Sequence, residues 1–489
     1  MVVGSFISLH GSGLWYVHVR SSDRLRQAQN CPETVIYLCH GLRARDRPSR
    51  LTTIHRESDV TAPARTHDTA HVRNIALVGH AGAGKTTLLE QLLARSGAIH
   101  SPGTVEKGNT VSDFTGAEKK QGHSLETALC NLEHDGIYMN ILDTPGYPDF
   151  IGRSISVLPG VETAALVINA QSGVEMVARR VMRYAEEQRM CRLIIVNHID
   201  TDGLDLRALL DEIRDSFGPQ CLPLNLPADS AKTVADCFFE PADTTPDFSS
   251  VEAAHTAIVD QVVELDDKLM ELYLEQGEAL QPEQLHDPFE RALRRGHLIP
   301  VCFVSAGTGS GLNQLLNIFA RLMPSPLEAN PPAFIQGEGE SARPVEVTGD
   351  PDGHFIGHVF KVNVDPYVGK MGIFRVHQGT LRHGDQVFVG ERRKGFKVAH
   401  LYRLQGRETS EINRVVPGDI CAISKVEDLH FDAVLHTSHD EDRIHLQSVR
   451  LPEPMYGVAL ELVRRGDEKK LSDALHKLAA EDPSLRIEH

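Results

Sequence analysis

The chain has 489 residues, 41% of them hydrophobic, which is ample for more than one packed domain. A formal net charge of -17 at pH 7 argues against coating DNA or other nucleic acid through a generally basic surface, because such binding depends on counterion release by Lys and Arg. No apolar run approaches the length of a membrane span, and eight scattered cysteines without C-x-x-C pairs fit reduced thiols and a cytoplasmic setting.

Residues 1–70 stand apart. Their basic side chains are all arginine, among them Arg20, Arg43 and Arg65, with no lysine. Residues 14–17 and 35–38 read as short strands, but after Gly41 every pattern is interrupted by Ser, Thr, Pro and His. A transit peptide has such a composition, yet Asp23, Glu33 and Asp46 oppose it and no amphipathic helix is present. The simpler expectation is an extension without a fold of its own, disordered or outside the natural protein if the start codon is placed too early.

Next comes an apolar strand ending in Gly79-His80-Ala81-Gly82-Ala83-Gly84-Lys85-Thr86, followed by Thr87 and a helix with Leu88, Leu89, Leu92 and Leu93 on one face. This is the G-x-x-x-x-G-K-[ST] phosphate loop between the strand and helix that it requires. Glycines let the backbone curl round a triphosphate with its N–H groups inward, and Lys85 reaches the outer phosphates. Thr86 is placed to ligate Mg²⁺, and the helix N-terminus faces the anion.

Later landmarks follow in the order expected of a doubly wound, mostly parallel sheet, whose ligand loops leave the carboxyl ends of strands. A strand at 137–142 leads into Asp143-Thr144-Pro145-Gly146, then Tyr147. The Asp143 carboxylate can hold the metal through water, and the Gly146 N–H can bond the terminal phosphate. Strands at 164–168 and 193–196 flank a helix over 174–190, and the second ends in Asn197-His198-Ile199-Asp200. A carboxylate at Asp200 accepts two N–H bonds that guanine offers and adenine does not. Finally a strand at 299–304 precedes Ser305-Ala306-Gly307, whose backbone can contact the base carbonyl.

Together these motifs resemble the translational GTPases, and most closely the elongation factor G family, over residues 71–489. The resemblance implies GTP and GDP as ligands with Mg²⁺, hydrolysis of GTP, the ribosome (its RNA and proteins) as partner, and a monomeric protein. It places Ser124, in the run from Asp113 through Glu118 to Gly122-His123-Ser124-Leu125, where the family has a metal-binding threonine in its first switch. Glu118 and its lysine neighbours are expected to be a solvated loop. The implied architecture is a G domain at 71–325 with an insertion at about 221–293, a linker at 326–345, a small β-barrel at 346–440 and the start of an α+β third domain at 441–489. In the insertion, residues 251–275 have helical spacing, suited equally to a solvated face or to docking a protein. The third domain is expected to show a strand at 455–461, a helix carrying Leu471, Ala474, Leu475 and Leu478, and a strand starting at Asp482. Nothing resembles the family's fourth and fifth domains, so GTP binding and ribosome contact are implied more directly than translocation.

Besides Ser124, three positions depart from the family, the first being Gly82, which takes a place often held by aspartate and should leave the phosphate cradle intact. Tyr147 stands where the family has a water-positioning histidine, and a phenol offers no basic nitrogen. Loss of a general acid–base group would slow hydrolysis by roughly 10²–10⁴-fold, unless positioning and electrostatics suffice. His198 replaces a lysine whose stem lies along the guanine, and an imidazole can stack there instead. The readings left open are therefore a GTPase, a GTP-binding ribosome-associated module with little turnover, a truncated product without a role, and an ATPase.

Overall fold

In a computed structural model, the described residues are 67–489 apart from 240–243, 277–281, 366–368, 448, 455–456, 461, 463–465 and 489. The strands expected at 14–17 and 35–38 lie outside them.

The first domain is built on seven strands: β1 (Val72–Val78), β2 (Ala128–His134), β3 (Ile137–Asp143), β4 (Thr163–Asn169), β5 (Cys191–Asn197), β6 (Cys221–Pro223) and, after a ribbon of β7 (Asn225–Ala228) and β8 (Thr233–Asp236), β9 (Ile299–Phe303). Their order is β2-β3-β1-β4-β5-β9-β6, with β2 antiparallel to β3 and every other pair parallel. Strands buried on both faces read as continuous apolar runs, and all seven residues of β1 and of β5 are buried. One face packs against α1 (Lys85–Arg95), α6 (Val251–Val263), α8 (Pro282–Arg294) and α9 (Leu312–Arg321). The other receives α3 (Ile151–Ser156), α4 (Met176–Glu187) and α5 (Leu206–Phe217). This is the doubly wound sheet expected from the motif order.

The insertion differs from one continuous helix over 251–275. The chain breaks after α6 and restarts as α7 (Asp267–Gln276), because Asp266 accepts the Leu269 N–H at 3.1 Å and caps the new start.

The second domain is a curled antiparallel half-barrel. Its strands are β12 (Ile356–Asp365), β13 (Gly369–Gln378), β14 (Leu381–Arg382), β15 (Gln386–Val389), β16 (Phe396–Lys397), β17 (Leu401–Gln405), β18 (Glu408–Ile412), β19 (Arg414–Val415), β20 (Ile420–Ser424) and β21 (Val434–His436). Eight of them pair in the order β16-β15-β21-β12-β13-β20-β17-β18. Phe355, Val359, Phe374, Leu401 and Leu435 fill the interior, while Phe360, Ile373 and Leu404 face outward into the core of the first domain.

The stretch 326–345, expected as a linker, contains β10 (Phe334–Gln336) and β11 (Arg343–Val345), which pair with each other and with β22 (Ile444–Leu446). Buried Phe334 holds them on Val347, Ile356 and Val434. Near the end of the chain α10 (Glu468–Glu481) forms as expected, and among the described residues no strand flanks it. Residues 457–460 pair with no described strand, and 455, 456 and 461 lie outside the described residues. At the other end Asp482 turns the chain, its Oδ1 accepting from Ser484 N at 3.0 Å and Ser484 Oγ at 2.6 Å.

Candidate functional site

The loop after β1 is possible only with glycine. A Cβ on Gly79, at φ 143°, would lie 2.2 Å from the Val167 carbonyl oxygen, and one on Gly84, at φ 83°, would lie 2.4 Å from Asn197 Nδ2. Lys85 opens α1 and is buried, its Nζ donating at 2.9 Å to the carbonyls of both Gly79 and His80. Burial lowers the ammonium to about 8, against the charges of Asp143, Asp113 and Glu175. A phosphate anion in the loop would reverse that penalty. His80 Nε2 lies 3.3 Å from Glu175 Oε1, and half-buried Thr87 continues the first turn of α1.

Three predicted metal ligands converge. Thr86 Oγ1 donates to Asp143 Oδ2 at 2.7 Å and lies 3.2 Å from Ser124 Oγ. Burial raises Asp143, opposed by the Thr86 hydrogen bond and by Lys85, and its Oδ1 is buried without a partner. An all-oxygen set with an orphaned carboxylate oxygen suits a hard cation such as Mg²⁺. Among the described residues no three His, Cys, Asp or Glu side chains cluster as a metal site.

The turn after β3 closes on the phosphate loop. Gly146 O accepts from Ala81 N at 2.9 Å, and a Cβ on Gly146 would lie 2.4 Å from Lys85 Nζ. The Thr144 hydroxyl donates to Leu77 O at 2.8 Å and Pro145 O accepts from Ser154 Oγ at 2.7 Å, so both residues brace the turn. Tyr147 is 40% exposed.

On the base side, fully buried Asn197 ties the motifs together. Its Nδ2 donates to Ala83 O and its Oδ1 accepts from Ala306 N, both at 3.0 Å. The next residue, His198, takes a left-handed φ of 64°, while the Ile199 side chain is buried. Asp200 is exposed, and a Cβ on Gly307 would lie 3.8 Å from its Oδ2. Ser305 Oγ accepts from Thr308 N at 3.1 Å and shapes that loop. Gly82 is exposed, with its carbonyl accepting from Asn169 Nδ2 at 3.2 Å.

Glu118 and Asp113, both in the run compared with the first switch, are buried rather than solvated. Glu118 is 1% exposed: it pairs reciprocally with Thr115 in a capping box on α2 (Gly116–Gln121), and Oε1 accepts from Leu125 N and Glu126 N at 3.1 Å. A carboxylate three residues after threonine was the signal. Asp113 is also buried, beside Ser124 but without a well-formed hydrogen bond, and burial first, then Asp143, pushes it to about 7. Nothing in its sequence context marks it.

Three family profiles match this chain in succession. The one described as Elongation factor Tu GTP binding domain covers residues 70–325, Elongation factor G domain 2 covers 354–437 and Elongation Factor G, domain III, covers 451–489. The chain belongs to the elongation factor G family of translational GTPases. An elongation factor G-like protein of Mycobacterium tuberculosis is 34% identical over 85% of this chain and 62% of its own length. Elongation factor G of Mycoplasma genitalium is 30% identical over 86% of this chain and 63% of its own. A crystal structure of a Thermus thermophilus protein superimposes with a TM-score of 0.73 at 33% identity, covering 86% of this chain and 62% of that one. The chain thus spans somewhat less than two thirds of these relatives. A GTP-binding domain implies a guanine nucleotide at the loop just described. Among the described residues no helix is long and apolar enough to cross a membrane.

Proposed function

We propose that this elongation factor G-like chain binds GTP with Mg²⁺ and hydrolyses it to GDP and phosphate in contact with the ribosome, as a cytoplasmic monomer. The observation that carries the reading is the convergence of Thr86, Ser124 and Asp143 beside Lys85. Thr86 and Ser124 would hold the metal directly and Asp143 through water; the ion, when bound, neutralises charge on the outer phosphates. Lys85 and the amides of the loop 79–86 bind the phosphates. The Gly146 amide senses the terminal one, and Asp200, with the backbone at 305–306 and the ring of His198, reads guanine. Departure of the terminal phosphate would free Ser124 and Gly146, each a few residues from a contact to α3, through Arg153–Leu125 O and Ser154–Pro145 O.

One observation favours a second reading, a GTP-binding module with little turnover: Tyr147 brings a phenol where a basic nitrogen would assist the water. Multiple-turnover hydrolysis with and without ribosomes separates the two. Under the first reading wild type far exceeds Lys85→Ala on ribosomes. Under the second it does not, and Tyr147→His restores activity. Competition between GTP and ATP disposes of an ATPase.

A further inference from the structure

Two rings meet beside the phosphate loop. The centroids of His123 and Tyr147 are 4.2 Å apart and their planes are tilted by 41°. His123 immediately precedes Ser124, whose hydroxyl lies 3.2 Å from that of Thr86. Tyr147 immediately follows Gly146, which abuts Lys85 and accepts from Ala81. The pair therefore joins the segment that would hold the metal to the segment that would sense the terminal phosphate.

Geometry also selects the tautomer. His123 Nδ1 lies 3.2 Å from the Ser124 carbonyl oxygen, which can only accept, so Nδ1 carries the proton. In the uncharged ring Nε2 then keeps a lone pair, and among the described residues it makes no hydrogen bond. Half-buried His123 is backed by Tyr147, whose ring restricts rotation of the imidazole.

We propose that His123 accepts a hydrogen bond at Nε2 from the attacking water and aims its oxygen at the terminal phosphorus, with Tyr147 holding the imidazole in place. The proposal rests on the GTPase reading above. The water oxygen forms the new P–O bond as the bond from the terminal phosphorus to the bridging oxygen breaks; that electron pair stays on the diphosphate, and the water's protons leave on inorganic phosphate. His123 orients the water and takes no proton. The role is open to an acceptor of similar reach, since phosphoryl transfer depends chiefly on positioning.

The test uses the full chain, with single-turnover hydrolysis of bound GTP on ribosomes and affinity for a fluorescent GTP measured side by side. His123→Leu, which keeps bulk and removes the acceptor, is expected to slow hydrolysis by about 10–100-fold while affinity stays within about twofold. His123→Gln, whose side-chain oxygen accepts, is expected to recover most of the rate. Hydrolysis by His123→Leu at the wild-type rate overturns the role, as does an equal loss in Leu and Gln variants or a fall in affinity matching the fall in rate. A wild type no faster than Lys85→Ala overturns the hydrolysis reading itself, and this role with it.

Discussion

Asp200 is the residue proposed to choose the base, and its carboxylate is exposed beside Gly307. Asp200→Asn replaces one acceptor oxygen by a donor. Its preference for GTP over ATP in competition binding is therefore expected to fall by about 10–100-fold, corresponding to loss of a charged hydrogen bond; unchanged selectivity contradicts the assignment. At this scale the backbone of the loop was legible, because Gly79 and Gly84 occupy space that a Cβ cannot enter and the pattern records that demand. Asn197 was legible as a motif residue but not as the brace between Ala83 and Ala306, since a pattern does not say which atoms meet. His123 was visible only as a neighbour of Ser124; its contact with Tyr147 joins residues far apart in sequence.

Among the elements, β1, β3, β4, β5 and β9 announce themselves as apolar runs, and each ends within a residue or two of the expected bounds. The short strands β10, β14, β16 and β19 carry two or three residues each, too few for any alternation to register. What fixes the half-barrel to the G domain was likewise hidden. Arg375, 3% exposed, donates to Glu162 at 2.7 Å, and Asn74 Nδ2 bridges Glu162 Oε2 at 2.8 Å and Gly418 O at 3.1 Å. Burial raises Glu162, with Arg375 opposing it. Removing one partner strands a buried charge, so Arg375→Ala is expected to cost about 3–5 kcal/mol in denaturant unfolding monitored by circular dichroism. A loss below about 1 kcal/mol, the size of an exposed pair, would show that the seam does not depend on it.

Across the molecule, ion pairs run from the end of the first switch to the end of the chain. Arg153, on α3, donates to Leu125 O at 2.9 Å and Asp482 Oδ2 at 2.8 Å and meets Glu126, whose other oxygen accepts from Lys361 at 2.8 Å. Ser124, two residues before Glu126, is thereby tied to the half-barrel and to the segment after α10. The half-barrel has a pH signature of its own. Burial raises Asp419 to about 6, outweighing the Val416 N–H bond and Arg403. Its folded state holds the proton more tightly than the unfolded chain, so this contribution is complete below the ordinary carboxylate range and lost as pH rises through about 6. The melting temperature of wild type relative to Asp419→Asn is expected to fall from about pH 4 to about pH 7 and then level off; a constant difference contradicts the assignment. Sequence conveyed the succession of G domain, half-barrel and third-domain helix through motif order and a change of period. It did not convey these seams, whose residues are separated by hundreds of positions.

On the proposed reading the loop beginning at Gly79 holds GTP and the chain cleaves it. The most direct measurement is phosphate release from GTP by wild type and Lys85→Ala, each with and without ribosomes. Wild type is expected to release phosphate faster on ribosomes and Lys85→Ala only at the background level; equal release by the two proteins in both conditions would rule out cleavage at this loop.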